Sequence, residues 1–182
     1  MAERLVVYVD GFNLYHGLHD QFGHRYLWLD LASLARSLRP HSNLVGVEYF
    51  TASVLNDGPA QSRQDAYIEA LKAANPGLLH VTMGRYQQNK RRCRSCGVSW
   101  RVYEEKETDV NIAVTLAADA IARRADAFMV ISGDSDIAPA IRLAMSLNPD
   151  ARFLAAFPPG RFSAELQALM PSSFHIGRAR IA

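Results

Sequence analysis

Cysteine is almost missing from this chain of 182 residues; there are two, Cys93 and Cys96. A disulfide framework is excluded, and the C-x-x-C spacing is too tight for a typical structural disulfide. It points to a reducing compartment or a metal knuckle. Long apolar runs are missing too, and none approaches the roughly 20 residues of a membrane helix. The one apolar stretch near the start, Leu5 to Val9, is cut short by Asp10, so no signal peptide is read. The expectation is a soluble, cytoplasmic protein without a membrane partner. Strong charge bias is also absent. A net charge of +2 permits a polyanionic partner without requiring one. With no internal repeat and no low-complexity linker, the sequence reads as a single domain over residues 1–182. Its 49% hydrophobic and 21% charged residues suffice for an ordinary core.

What is present is organised around VVYVDGFNLYHG, Val6 to Gly17. The apolar run reads as a buried strand that delivers Asp10 and Asn13 to its C-terminal end. In open parallel sheets ligands bind at that end. A carboxylate there is costly unless paired or metal-bound. The alternative is that Asp10 only caps the following turn.

Along the chain, strands are predicted at Val45 to Val54, Leu78 to Tyr86, Arg101 to Glu105, Phe128 to Ile131, Arg152 to Phe157 and Ser173 to Ile176. A short helix or turn is predicted at Leu14 to Leu18, and helices at Leu31 to Leu38 with Asp30 as N-cap, Ala60 to Ala74, Thr108 to about Arg124, Ile137 to Leu147 and Phe162 to Leu169. Arg63, Gln64, Glu69 and Lys72 are expected to face outward. Thr108 is read as an N-cap, and Val110, Ala113, Val114, Ala117 and Ile121 as the apolar positions of its helix. The alternation gives an α/β fold, a mainly parallel sheet with helices on both faces.

Asp10 and Asp134 each follow an apolar strand, Asp136 comes two residues later, and Asp109 opens a helix. Carboxylates that converge on one edge repel one another unless a cation lies between them. Oxygen-only ligation suits Mg²⁺ or Mn²⁺. Taken singly, each Asp has a local explanation in turn or helix-dipole chemistry.

Three stretches, VDGFNLYHGL, EEKETDVNIAVTLAADA and VISGDSDIAPAI, together resemble the signatures of NYN domains, the PIN-like nuclease family; RQDAYIEAL resembles the family's intervening helix. The resemblance covers nearly the whole chain in the right order. It implies a Rossmann-like PIN fold and a Mg²⁺- or Mn²⁺-dependent ribonuclease. Matched by motif, Asp10, Asp109, Asp134 and Asp136 become the catalytic metal site. Asn13 becomes the group that orients the first carboxylate or the substrate, and Ser132 and Lys106 become supporting or phosphate contacts. Thr115 stands where many relatives carry another Asp, which leaves open whether one ion or two is held.

Residues 87–101, QQNKRRCRSCGVSWR, break the α/β pattern and read as an inserted basic hairpin or knuckle. Lys90, Arg91, Arg92, Arg94 and Arg101 interleave with Tyr86, Trp100 and Tyr103. Cations neutralise phosphates and aromatics stack on unpaired bases, so RNA is the expected partner. A solvated loop with Trp100 packed beneath it is the alternative. Cys93 and Cys96 supply two of the four ligands of a structural Zn²⁺; His80 or a second subunit would have to complete it. A redox pair lacks the thioredoxin-like context.

The function read from the sequence is hydrolysis of single-stranded RNA at an acidic Mg²⁺ or Mn²⁺ site. The alternative is a non-catalytic RNA-binding or regulatory protein on the same fold, and the state of oligomerisation is open, a homo-oligomer included. A phosphatase of the haloacid dehalogenase type needs a second acid two residues after the first, where Phe12 stands.

Overall fold

Alternation within the first strand, β1 (Arg4–Asp10), sets the plan of the molecule. Leu5, Val7 and Val9 point to one face of the sheet and Val6 and Tyr8 to the other, and all five are buried. A strand buried on both faces demands a layer on each side, and two separate cores result. Leu5, Val7 and Val9 pack with α1 (Gly11–Phe22), α2 (Leu31–Leu38) and α3 (Gly58–Ala74). Val6 and Tyr8 pack with α4 (Thr108–Ile121), α5 (Ala138–Leu147) and α6 (Ala164–Leu169). The computed structural model describes residues 2–181.

The remaining strands are β2 (Asn43–Ala52), β3 (Leu79–Arg92), β4 (Ser99–Lys106), β5 (Ala127–Ile131), β6 (Arg152–Phe157) and β7 (Phe174–His175). They form a seven-stranded sheet in the order β4-β3-β2-β1-β5-β6-β7. Every pairing is parallel except β3 with β4. The chain winds outward from β1 through β2 to one side and through β5 to the other. The crevice between the C-terminal ends of β1 and β5 is therefore the topological switch point, where such sheets bind ligands. Among the described residues no helix is long and apolar enough to cross a membrane.

Of the two forms expected for segment 87–101 it takes the hairpin, as a long antiparallel ribbon: β3 runs on to Arg92, and Arg85 to Arg92 pair with Lys106 to Ser99. Three expectations change. Gln64 does not face solvent; its side chain accepts from the Val54 N–H and donates to the Ala52 carbonyl, clasping the end of β2. Thr108 is not the N-cap of α4. That place belongs to Glu107, whose φ of 82° turns the chain sharply, and Thr108 is buried with its N–H and hydroxyl both donating to Glu105. The buried face of α4 carries Ile112, Leu116 and Ala120, whereas Val110, Val114 and Ile121 are exposed.

Candidate active site

The turn from β1 into α1 is built by Asp10 itself. Its Oδ1 accepts the Asn13 N–H at 3.0 Å, capping the helix, and its Oδ2 accepts the Ser132 hydroxyl at 2.9 Å. Gly11 follows because nothing larger fits: a Cβ there would lie 2.6 Å from the Phe50 carbonyl oxygen and 2.8 Å from the Tyr49 ring. The Asn13 Oδ1 accepts the Gly133 N–H at 2.8 Å, which ties the loop after β5 to α1. Ser132 also accepts the Asp134 N–H at 3.0 Å. Asp10, Asn13, Ser132 and Asp134 thus form one hydrogen-bonded network across the β1–β5 crevice. The capping role of Asp10 and its place at the crevice hold together.

Asp10, Asn13, Asp109 and Asp134 line a cleft of about 220 Å³, with Phe12, His16, Glu105, Thr108 and Arg161. Asp10 is only 5% exposed, and burial pushes its carboxyl above the usual carboxylate range despite the hydrogen bonds from Asn13 and Ser132; Asp134 pushes it the same way. Burial, then the charges of Asp10, Asp134, Glu105 and Asp136, push Asp109 up to about 6. Such crowding of like charge is what a cation relieves. Among the described residues no three His, Cys, Asp or Glu side chains gather about one point. That spacing still suits Mg²⁺, which commonly takes one or two carboxylates and fills its octahedron with water and substrate phosphate. The donors facing the cleft are hard oxygens, and the site fits such an ion.

Other residues singled out from sequence lie elsewhere. Asp136 is exposed at the short 3-10 turn Ser135–Ile137; its N–H is held by Asp134 Oδ1, and it is not on the cleft wall although its charge reaches Asp109. Lys106 points back along β4 to Glu104 at 3.4 Å and does not line the cleft. Trp100 is 48% exposed, so it is no core residue. Register divides the basic set. Lys90 and Arg92 share a ribbon face with Arg101, Tyr103, Tyr86 and the cleft residue Glu105. Arg91, Trp100 and Lys106 lie on the opposite face, where Arg91 pairs with Glu104 at 2.8 Å. Arg94, Cys93 and Cys96 sit in the turn. His80 is at the far end of β3 beside Glu48, so it does not complete a zinc site with the two cysteines.

Three cleft residues escaped the sequence reading. Glu105 carried a signal in the acidic run EEKETD. Arg161 carried one in standing just after the turn that follows β6, at the ligand-binding edge of the sheet; it also pairs with Asp20 at 2.6 Å. His16 lies on the cleft wall one helical turn after Phe12.

Phe12 and His16 also border a second, larger groove of about 480 Å³. Its walls are aromatic and apolar, with Tyr15, Trp28, Tyr49 and Tyr67 prominent, and Arg63 and Gln64 supply polar groups. Trp28 is 59% exposed.

A crystal structure of a protein of unknown function from Vibrio parahaemolyticus has the same fold, with a TM-score of 0.68 at 18% identity over 97% of this chain and 94% of that one. The chain is 30% identical over 175 aligned positions to 6-hydroxy-3-succinoylpyridine 3-monooxygenase HspA of Pseudomonas putida, a match that takes in 77% of this chain. It spans 55% of that relative's length. The NYN domain model matches residues 4–175. That match takes in both sides of the crevice and the ribbon between them, and the chain belongs to the NYN domain family, within the PIN-like nuclease superfamily.

Proposed function

We propose that the chain is a metal-dependent ribonuclease acting on single-stranded RNA. The observation that carries this reading is the convergence of Asp10, Asp109 and Asp134 on one cleft at the β1–β5 switch point. Asp10, with Asp109 or Asp134, would hold Mg²⁺ or Mn²⁺, which when bound would supply a water of lowered pKa and charge stabilisation at phosphate. The chain's own groups do the rest. Ser132 and the Asn13 N–H fix the Asp10 carboxylate, and Asn13 fixes the loop that carries Asp134. Arg161 offers a guanidinium on the cleft wall for a phosphate oxygen. Asp136, outside the wall, contributes field rather than a contact.

The surroundings support RNA as substrate. On one side the ribbon face beginning at Glu105 runs through Tyr86 and Tyr103 to Lys90, Arg101 and Arg92. Lys90 and Arg101 stand directly across from each other, a like-charge pairing that a polyanion relieves. On the other side the groove with Tyr15, Trp28 and Tyr67 offers stacking surfaces for unpaired bases. A second reading rests on that groove, whose size lies in the small-molecule range. It would take a small hydroxylated heteroaromatic of the kind in the Pseudomonas putida relative's name. The deciding experiment is cleavage of an RNA panel with Mg²⁺ or Mn²⁺, set beside binding of 6-hydroxy-3-succinoylpyridine. Metal-dependent cleavage supports the first reading; heteroaromatic binding without any RNA turnover supports the second.

A further inference from the structure

The ribbon of β3 and β4 ends in a turn that carries the chain's two cysteines, and the turn is tightly made. The Cys93 N–H donates to the Val98 carbonyl at 2.8 Å and the Gly97 N–H to the Cys93 carbonyl at 3.0 Å. Gly97 takes a φ of 73°, a conformation that glycine adopts without strain, and the Arg92 guanidinium holds the Gly97 carbonyl at 3.1 Å. The sequence is thus C-x-x-C-G with the glycine turning the chain back immediately after the second cysteine. The backbone N–H groups of Cys96 and Ser95 approach the Cys93 sulfur, and the Cys96 thiol lies beside it. Cys93 is half-buried and Cys96 exposed. Together they make a two-sulfur clip that faces out of the molecule.

Such a clip is half of a tetrahedral thiolate site. The chain has no other cysteine, and among the described residues no third ligating side chain gathers with this pair. His80 lies at the other end of β3, roughly 40 Å away at about 3.3 Å per residue. The missing donors therefore come from outside the chain. Two features beside the clip suggest what brings them. Val98 is 61% exposed and Trp100 is 48% exposed, an apolar pair at the tip of a strongly basic ribbon. The tip also carries Lys90, Arg92, Arg94 and Arg101, so a second tip would be repelled unless negative charge lay between them. Four thiolates around one Zn²⁺ leave that negative charge at the centre.

We propose that two copies of this chain join at their ribbon tips through one Zn²⁺ ion held by Cys93 and Cys96 of each. A two-fold axis through the metal supplies an identical pair of sulfurs from the second chain and completes the tetrahedron. Val98 and Trp100 of each copy then cover one another around it. Binding releases the thiol protons and leaves both acidic clefts free at the far ends of the ribbons. The proposal does not depend on nuclease activity.

The test is metal analysis and native mass spectrometry of the full chain, purified in reductant with zinc supplied. The expected species is a dimer with one zinc per two chains. A strong chelator should convert it to monomer, and Co²⁺ should give the visible absorption of a tetrahedral tetrathiolate. Cys93→Ser and Cys96→Ser should each lose the metal and the dimer while the melting temperature of the sheet domain stays unchanged, since the tip lies outside both cores. A zinc-free monomer overturns the proposal, as does one zinc per monomer or a dimer that persists in the metal-free serine variants.

Discussion

Asp109 is where the electrostatics of the cleft are most directly measurable. Its folded-state pKa of about 6 lies above the ordinary carboxylate value. A group raised in this way favours the folded state when protonated, and that contribution is lost as pH rises from about 4 through 6. Above that window the ionised carboxylate destabilises the metal-free protein. Solvent screening at this side chain, only partly shielded by the cleft, limits the effect to about 1 kcal/mol. Asp109→Asn should therefore raise the melting temperature of chelator-treated protein by about 2–4 °C at pH 7.5 and leave it unchanged near pH 4. Thermal melts at both pH values check the sign; a lower melting temperature at pH 7.5 would contradict it. Gly11 makes the opposite prediction. Gly11→Ala places a methyl against the Phe50 carbonyl and Tyr49 ring, at a cost of about 1–3 kcal/mol in denaturant unfolding. An unchanged unfolding midpoint would show that β2 yields to it.

At the scale of elements, the ribbon has two unlike faces. If RNA follows the face continuous with the cleft, neutralising Lys90, Arg92 and Arg101 should weaken RNA binding and flatten its salt dependence, by about 0.7 in the log–log slope per lost contact. Neutralising Arg91, already paired with Glu104, should change the slope little. Equal slopes in both variants would remove the ribbon from the RNA path. This division was not legible in the sequence, because a ribbon polar on both faces has no hydrophobic period to set its register. The buried strands were legible, since runs such as Val6 to Val9 and Phe128 to Ile131 are apolar on both faces. Helix α4 misled for a physical reason. Val110, Val114 and Ile121 repeat at helical spacing, and so do Ile112, Leu116 and Ala120. In a helix apolar nearly all round, periodicity finds the helix but does not choose its inner face. Asp10 and Asp134 stood out as carboxylates at the ends of buried strands. Glu105 and Arg161 did not, because only the tertiary fold brings the β4–α4 and β6–α6 connections to one cleft.

For the whole molecule, the two-sided sheet places its switch point between an acidic cleft, an aromatic groove and a cationic ribbon face. The cleft concentrates negative charge that repels RNA on its own, so on the proposed ribonuclease reading a divalent cation would have to bridge the two. Asp10 is the residue on which this depends. Asp10→Asn keeps an oxygen that caps α1, and its amide N–H donates to the Ser132 hydroxyl in place of the second carboxylate oxygen, so the fold should survive while one charge at the cleft is lost. The most direct measurement is cleavage of labelled single-stranded RNA by the full chain with Mg²⁺, with Mn²⁺ and with chelator, alongside folded Asp10→Asn. The expected result is cleavage that needs the metal and disappears in the variant. Cleavage that persists in chelator or in Asp10→Asn, or no cleavage of any RNA by the metal-loaded chain, would contradict a metal-dependent ribonuclease centred on Asp10.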